Sequence, residues 1–344
     1  MTEPSIVTDG GISPPPPPTG TLWHTIRTGP TTAGEWTPLD ELNVVIPVAG
    51  PAAAVAGAAD QAAGEAQYIY TTGGGTSLWH TIRYYGGGWC QPGLVNNQIH
   101  IPGPVAAVAG AGDGVPLEAQ YMFTTDDGKL WHTIRRADGT WTPTGSVNGQ
   151  ITIPGPVSAI AAAGDGILGE TQFLYTTGGG ASLWHTIRYA DGTWATPDLL
   201  NNKFTIPNPV TAVSASGDGL PGEAQFVIVF GGMLWHTIRT AAATNNWSGL
   251  GCVNHQFQPN MPAQPPVQAV AAAYDYTSGE VQFIFAKNDG SAWHTARNSY
   301  GGWEPLDNLD SLLNIPGPVT ALTATGDGLD AEAQFMVILG PLQP

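Results

Sequence analysis

The stretch GKLWHTIRRADGTW, residues 128–141, recurs along the chain and decides the fold. A second tryptophan follows every copy of its core, LWHTIR, and together these account for all 12 Trp of the protein. The cores begin at Leu22, Leu78, Leu130, Leu183, Leu234 and, as AWHTAR, at Ala292, and the second tryptophans are Trp36, Trp89, Trp141, Trp194, Trp247 and Trp303. The aromatic residues therefore belong to a repeat rather than to one local site.

A Glu-x-Gln segment alternates with this motif. A strand of small residues that ends in a GDG-type turn precedes each segment. The segments begin at Glu65, Glu118, Glu170, Glu223, Glu280 and Glu332. One unit thus contains four short strands with period-2 patterning, Gly and Asp turns and no helical periodicity. Four-stranded units that repeat radially are typical of β-propeller blades.

The two ends of the chain carry complementary halves of one unit. The first LWHTIR strand, at Leu22, has no Glu-x-Gln strand before it, and the last Glu-x-Gln strand, at Glu332, has no LWHTIR strand after it. We therefore predict an all-β, six-bladed propeller of four-stranded antiparallel blades over residues 21–344. The N-terminal and C-terminal strands pair in one blade, and the Ala/Gly-rich strand is innermost. A solenoid is the alternative, but it would not leave complementary halves at its ends.

The N-terminal segment and the composition limit the other possibilities. Residues 1–20, with SPPPPPTG, predict a disordered Pro-rich tail. The net charge of -17 disfavours nucleic acid and anionic membranes as partners. No apolar run reaches the about 20 residues that a membrane span needs, and no signal-peptide pattern begins the chain. We expect a soluble protein without membrane insertion, either cytoplasmic or released by a non-classical route.

The sequence gives little support for a metal site, a disulfide bond or a catalytic site. Cys90 and Cys252 show no CxxC spacing and are expected not to pair, and the GDG segments predict hairpin turns rather than calcium loops. We expect no cofactor and no metal. Nearly every His, Arg and Trp belongs to the repeat, so the residues of a unique acid–base site are missing. We therefore predict no catalytic residue and no enzyme activity.

The hairpin EAQYMFTTDDGKLWHTIRR, residues 118–136, predicts which side chains share a face. Strand alternation places Trp, Thr and Arg of the motif on one face and Leu, His and Ile on the other. A turn at about residues 126–128 predicts three cross-strand pairs: Glu118 with Arg135, Gln120 with Thr133, and Met122 with Trp131. By the same spacing each unit has a Glu–Arg pair, and Glu332 is expected to meet Arg27 across the closure.

Two interpretations of the Glu–Arg pair remain open. In one, Glu, Arg, Gln and Thr form a hydrogen-bond network that satisfies buried polar groups between blades. In the other, they bind a carbohydrate, because vicinal hydroxyls suit carboxylate acceptors and guanidinium donors while an apolar sugar face suits a Trp ring. Single sugar contacts are weak, so six repeated sites would gain through avidity. The motif histidines face the other way and are expected to be satisfied residues between blades.

The LWHTIR…DGTW unit resembles the repeat of bacterial fucose-binding β-propeller lectins, and more loosely that of the tectonins, over essentially residues 20–344. The resemblance implies a soluble bacterial lectin with sugar sites between adjacent blades, often oligomeric, so that a homo-dimer is one expectation. Those bacterial lectins have seven blades, whereas six-bladed fungal fucose lectins are similar in using Arg, Glu and Trp around the sugar. The implied ligands are glycans carrying fucose or a related sugar, O-methylated sugars included.

Carried over to this chain, the resemblance implies sugar-binding residues of three types. The best-formed sites are expected at the copies that begin at Leu78, Leu130 and Leu183. The candidates are Arg27, Arg83, Arg135, Arg188, Arg239 and Arg297; Glu65, Glu118, Glu170, Glu223, Glu280 and Glu332; and Trp79, Trp89, Trp131, Trp141, Trp184 and Trp194. The alternative function is a non-lectin propeller that serves as a protein-interaction scaffold, and a third is a propeller glycosidase or lyase.

Overall fold

Six antiparallel sheets form the blades of the propeller. The computed structural model describes residues 20–29, 34–240, 246–257 and 266–340, so the expected tail lies outside the described residues except for Gly20. From the inside outward, blade 1 consists of Ala52–Ala59, Ala66–Thr72, Ser77–Arg83 and Gly93–Leu94; blade 2 of Val105–Ala111, Ala119–Thr125, Leu130–Arg135 and Gly145–Ser146; and blade 3 of Val157–Gly164, Thr171–Thr177, Ser182–Arg188 and Asp198–Leu199.

The other three blades follow the same order, with the outer strand of blades 4 and 6 in two pieces. Blade 4 consists of Val210–Ser216, Ala224–Phe230, Met233–Thr240, Asn246–Trp247 and Gly251–Cys252; blade 5 of Val267–Tyr274, Val281–Lys287, Ala292–Arg297 and Asp307–Asn308; and blade 6 of Val319–Gly326, Glu332–Leu339, Thr21–Thr28, Glu35–Trp36 and Asp40–Glu41. The predicted six-bladed architecture is confirmed.

Short helices follow the outer strands. They are the α-helices Leu42–Val45, Asn254–Phe257 and Leu309–Leu313 and the 3-10 helices Val95–Asn97 and Leu200–Asn202. Within the described ranges, no helix combines the length and the apolar character that crossing a bilayer requires. Cys90 and Cys252 are both free thiols.

The ring closes through blade 6, as the complementary ends predict. The N-terminal strand pairs antiparallel with the C-terminal strand over eight positions, from Thr21 opposite Leu339 to Thr28 opposite Glu332. The inner strand of blade 6 in turn packs against that of blade 1. Closure therefore leaves no sheet of the ring without a neighbour on either side.

Small residues line the axis because the inner strands of neighbouring blades approach each other closely. A Cβ atom on Gly112 would overlap the carbonyl oxygen of Ala59 in blade 1, and one on Gly164 would overlap that of Gly112. The inner strands enclose a central channel of about 400 Å³. The prediction that the Ala/Gly-rich strand is innermost is confirmed, and its composition follows from this crowding.

The hydrophobic core is divided among the interfaces between blades. Between blades 1 and 2, for example, Ile69 and Leu78 pack with the buried ring of Tyr121, and Trp141 covers them from the side. One face of each blade thus meets the opposite face of the next blade. Every interface is built from the two different faces that strand alternation creates.

The register of the hairpin differs by one residue from the prediction. Arg135 lies opposite Ala119, Thr133 opposite Tyr121, and His132 opposite Met122. The predicted partition of the two faces is confirmed, but the predicted pairs of Glu118 with Arg135, Gln120 with Thr133 and Met122 with Trp131 are wrong. In blade 6 the expected pair of Glu332 with Arg27 is also wrong, because Glu332 pairs with Thr28 and Arg27 with Ala333.

Loop length is the reason for this shift. The Thr125 N–H donates to the Lys129 carbonyl at 3.1 Å, which closes a loop of three residues. Gly128 ends the loop with φ +74°, the left-handed conformation that such three-residue hairpins require. Because Arg135 lies opposite Ala119, the residue that comes opposite Glu118 is Arg136, one position after the motif arginine.

Candidate functional site

A buried chain of three polar side chains crosses every blade. In blade 2 the Gln120 Nε2 donates to the Asp113 Oδ2 at 2.9 Å, and the Gln120 Oε1 lies 2.9 Å from the His132 Nε2. Because the amide N–H donates to the carboxylate, its oxygen faces the imidazole and must accept from His132. The six chains are Asp60–Gln67–His80, Asp113–Gln120–His132, Asp165–Gln172–His185, Asp218–Gln225–His236, Asp275–Gln282–His294 and Asp327–Gln334–His24.

The aspartate of each chain also fixes the turn in which it lies. The Asp113 Oδ1 accepts from the Val115 N–H at 3.0 Å, while the Asp113 carbonyl accepts from the Gly169 N–H of blade 3 at 2.6 Å. Asp113 is only 3% exposed. The GDG segments are hairpin turns, as predicted, and their carboxylates are occupied by protein donors.

Each motif histidine lies between two blades and is neutral. The ring of His132 contacts Trp194 of blade 3 edge-on, with 5.4 Å between the ring centroids. Burial, and secondly the guanidinium of Arg188, lower the pKa of His132 to about 3. The expectation of a satisfied histidine between blades is confirmed. The imidazole thus donates to an amide of its own blade, while its ring packs on a tryptophan of the next blade.

The motif arginines lie at the outer edge of the same interfaces. Arg135 forms a β-bridge with Trp141, and Trp141 packs edge-on against His80 of blade 1 at 5.4 Å between the ring centroids. The guanidinium of Arg135 therefore faces blade 1. There it lowers the pKa of Glu65, which burial and the charge of Asp60 raise. The carboxylate that faces Arg135 is thus Glu65 of the preceding blade, not Glu118 of its own hairpin.

The same relation between adjacent blades holds around the ring. Each site joins the Glu of one blade to the Arg and the second Trp of the next. The facing pairs are Glu65 and Arg135, Glu118 and Arg188, Glu170 and Arg239, Glu223 and Arg297, Glu280 and Arg27, and Glu332 and Arg83. The Glu and Arg side chains that act on each other electrostatically therefore come from adjacent blades, and not from one hairpin as predicted.

These guanidinium groups retain unused donors. In the described part of the chain, five motif arginines have no carboxylate oxygen within 4.0 Å and no side-chain hydrogen bond to protein: Arg83, Arg135, Arg188, Arg239 and Arg297. Burial lowers the pKa of Arg188, Arg239 and Arg297, yet a guanidinium stays protonated in proteins. Each of these sites thus presents fixed donors beside a carboxylate.

The pKa of Glu332 is raised more than the pKa values of Glu65, Glu118, Glu170 and Glu223. Burial raises its pKa first, and the hydrogen bond and charge of Asp327 raise it further, to about 7, against the opposing effect of Arg83. The site between blades 6 and 1 therefore contains a carboxylate that titrates near neutral pH. The pKa values of Glu65, Glu118, Glu170 and Glu223 are raised to a smaller extent, mainly by burial.

The two tryptophans of a blade lie in different places. The second tryptophans, which include the candidates Trp89, Trp141 and Trp194, adjoin the arginines. The first ones, Trp79, Trp131 and Trp184, lie four residues before the arginine, about 13 Å away along the strand. Their indole N–H groups donate to Thr72, Thr125 and Thr177. The structure thus brings Arg, Glu and the second Trp together and leaves the first Trp apart.

The hydrogen bond between Gln and His, which repeats in all six blades, is the feature of the site that the sequence analysis did not predict. Gln120 was predicted beside Thr133 and is bonded to His132 instead. The nearly constant spacing of the Glu-x-Gln and LWHTIR segments in all six units was a signal for this pair. The spacing predicts the contact between Gln and His only when the hairpin loop is assigned three residues.

Comparisons with known proteins agree with this architecture. No protein-family model and no curated protein sequence matches the chain. Among solved structures, the BP39L lectin from Burkholderia pseudomallei is similar with a TM-score of 0.56 and 19% identity, over 85% of this chain and 79% of that one. The fucose-specific lectin from Aleuria aurantia gives 0.55 and 14%, over 85% and 96%. SapL1 lectin in complex with alpha methyl fucoside gives 0.55 and 13%, over 86% and 98%. Such low identity establishes the shared fold alone.

Proposed function

We propose that this protein is a multivalent lectin that binds saccharides between adjacent blades. Each site consists of the Glu of one blade and the Arg and second Trp of the next. The observation that carries the proposal is the set of five half-buried arginines whose guanidinium donors have no protein partner. The Arg239 Nε is a buried donor without a protein partner, and buried polar groups normally find one. The other four guanidiniums are partly exposed and offer donors at the equivalent positions, which favours a repeated ligand site.

The chemistry of the site suits a sugar. A guanidinium donates to two neighbouring hydroxyl oxygens, and the facing carboxylate accepts from a hydroxyl. The indole of the second Trp offers an apolar surface to the C–H face of the ring. Each contact is weak alone, so several sites on one ring raise the avidity for a glycan-covered surface.

The sugar that we propose is fucose or a related sugar, O-methylated sugars included. Solved structures of the same fold include a fucose-specific lectin and a lectin in complex with alpha methyl fucoside. The methyl group of such a sugar adds apolar surface that an indole can cover. Because the identity to these lectins is low, this specificity rests on the local chemistry and has to be measured.

Binding is favoured over catalysis because the interface histidines are neutral and bonded to glutamine. A protein-interaction scaffold is the second candidate, supported by large apolar side chains exposed at the turns between the first and second strands and between the third and fourth: Tyr85 at 74%, Leu168 at 65% and Tyr300 at 97%. A scaffold would bind a protein without binding free sugars. Turnover of a glycan substrate would contradict the non-enzymatic proposal.

Isothermal titration with methyl α-L-fucoside, after a glycan array, tests the lectin proposal. We expect saturable binding with several equivalents per chain, reduced by one in Arg135→Ala. Lys129→Ala is the matched control, because Lys129 is an exposed cation at the turn between the second and third strands, paired with Asp127 at 2.7 Å. No saccharide binding on the array or in the calorimeter would reject the proposal.

A further inference from the structure

One position that borders every inter-blade site varies in chemistry. Thr28 pairs directly with Glu332. In blade 2 the pair of Arg135 with Ala119 places the next residue, Arg136, opposite Glu118. The ladders of the other blades end at the motif arginine, and one further residue along the same register places Tyr84, Arg136, Tyr189, Thr240 and Asn298 across from Glu65, Glu118, Glu170, Glu223 and Glu280. Directly opposed residues share a face, so this side chain stands beside the glutamate of each site.

These six side chains offer the sites different surfaces. Tyr84 and Tyr189 expose 41% and 37% of their surface, so two sites gain an aromatic ring. Asn298 is occupied by its own turn, since its Oδ1 accepts from the Gly302 N–H and its Nδ2 donates to Glu304. The two threonines are small. Only the site between blades 2 and 3 gains a second cation, Arg136.

Arg136 is the one arginine of the chain outside the repeated motif. Burial raises the pKa of Glu118, and the charges of Asp113 and Asp138 also raise it, while the guanidiniums of Arg136 and Arg188 lower it. The nearby carboxylates are already occupied: Asp113 accepts from Gln120, and Asp138 accepts from the Thr140 N–H and hydroxyl at 2.9 and 2.6 Å. This site therefore combines two guanidiniums with a single carboxylate free of hydrogen bonds to protein, Glu118.

We propose that the residue after the motif arginine selects the saccharide at each site, and that Arg136 directs the site between blades 2 and 3 to a sugar that carries a carboxylate. This inference rests on the proposed lectin function. A planar guanidinium matches a carboxylate in two parallel hydrogen bonds, and Arg136 adds a positive charge that the equivalent position of every other site lacks. The sites of Thr28 and Thr240 have no cation at this position and accept neutral sugars.

Titration of the full chain with methyl β-D-glucuronide tests this proposal, with methyl β-D-glucoside as the neutral ligand of the same shape. We expect one equivalent of glucuronide, at least about tenfold tighter than the glucoside at that site, and weaker binding in high salt because exposed charges are screened. Arg136→Thr should lower the glucuronide affinity at least about tenfold. Lys129→Thr, which removes an exposed cation near the opposite ends of the strands, should leave it unchanged.

The reverse substitution and a second ligand separate the possible failures. Thr240→Arg copies the arrangement at Glu223 and should add a second equivalent of glucuronide. Methyl α-L-fucoside is titrated in parallel. Fucoside binding without glucuronide binding, or glucuronide binding that Arg136→Thr does not weaken, overturns this inference and leaves the lectin proposal standing. Absence of binding by every saccharide rejects both.

Discussion

The inner and outer parts of each blade interface use polar residues in opposite ways. The inner chain, such as Asp113–Gln120–His132, is buried, and each member hydrogen-bonds to its neighbour in the chain. The outer group, such as Glu118 with Arg188 and Trp194, is half-buried, and its guanidinium has no protein partner. The difference shows that the buried polar groups are satisfied by neutral amide and imidazole partners within each blade, while apolar and aromatic side chains fill the interfaces between blades. The outer arginines without a protein partner are the groups that we propose to bind a ligand.

Acidification should have the largest effect, because it acts on all six inner chains at once. Buried His24, His132 and His236 have pKa values of about 3, whereas an unfolded histidine titrates near 6.5. The unfolded state therefore binds more protons as the pH falls from 6.5 towards 3, and stability is lost over that window. At pH 5 the loss is about 2 kcal/mol per histidine. Urea unfolding at pH 7 and pH 5 measures it, and equal midpoints would contradict the prediction.

The second-largest effect should come from a substitution that interrupts one inner hydrogen-bond chain. Gln120→Leu leaves the Asp113 Oδ2 and the His132 Nε2 without partners in a buried place. We expect a loss of about 3 kcal/mol in the free energy of unfolding, the cost of leaving buried polar groups unsatisfied. Denaturant unfolding provides the measurement. The exposed Gln150→Leu serves as the control and should change stability little.

Substitution of an outer arginine should show most clearly that the outer group serves binding while the inner chain serves stability. Arg188→Ala should change the free energy of unfolding by about 1 kcal/mol or less, because no protein partner is lost. The same variant should bind one saccharide equivalent fewer in calorimetry. A loss of stability comparable to that of Gln120→Leu would mean that the arginine is structural after all.

The smallest effect should be the pH dependence of one outer site. Glu332 has a pKa of about 7, so its carboxylate becomes ionised between pH 6 and pH 8 and then accepts more strongly from a sugar hydroxyl. We expect the affinity of the site between blades 6 and 1 to rise a few-fold over that range. Glu332→Gln should remove this dependence. A titration in which the variant keeps the wild-type pH profile would assign the effect to another group.

Much of the fold follows from local patterns. The repeated LWHTIR and Glu-x-Gln segments predict the blade count, the order of the strands and the closure at Leu22 and Glu332, all of which the structure contains. Period-2 alternation also predicts correctly that Arg135 and His132 lie on different faces. The predicted register was wrong because it depends on the length of one hairpin loop, residues 126–128, in which Gly128 in the left-handed conformation is the third residue.

Contacts between distant residues were not visible in the pattern. Asn148 accepts from the Leu130 N–H at 2.8 Å, and the equivalent contacts of Asn43, Asn96, Asn201 and Asn254 recur around the ring. From the sequence alone, an asparagine in a polar loop is interpreted as an ordinary turn residue. In the structure, the outer strand brings it next to the start of the third strand. The sequence therefore showed the residues but not the contact.

The sequence by itself determined the repeated unit, its two chemically different faces and the matching halves at the chain ends, because periodicity and turn residues act over a few positions. Only the tertiary structure decided which Glu faces which Arg. One face of a blade meets the opposite face of the next, so Glu65 faces Arg135, while the arginine of its own hairpin, Arg83, pairs with Ala66. Packing between blades also made the histidines neutral and left the guanidinium donors open. Those properties depend on burial, which only the assembled ring creates.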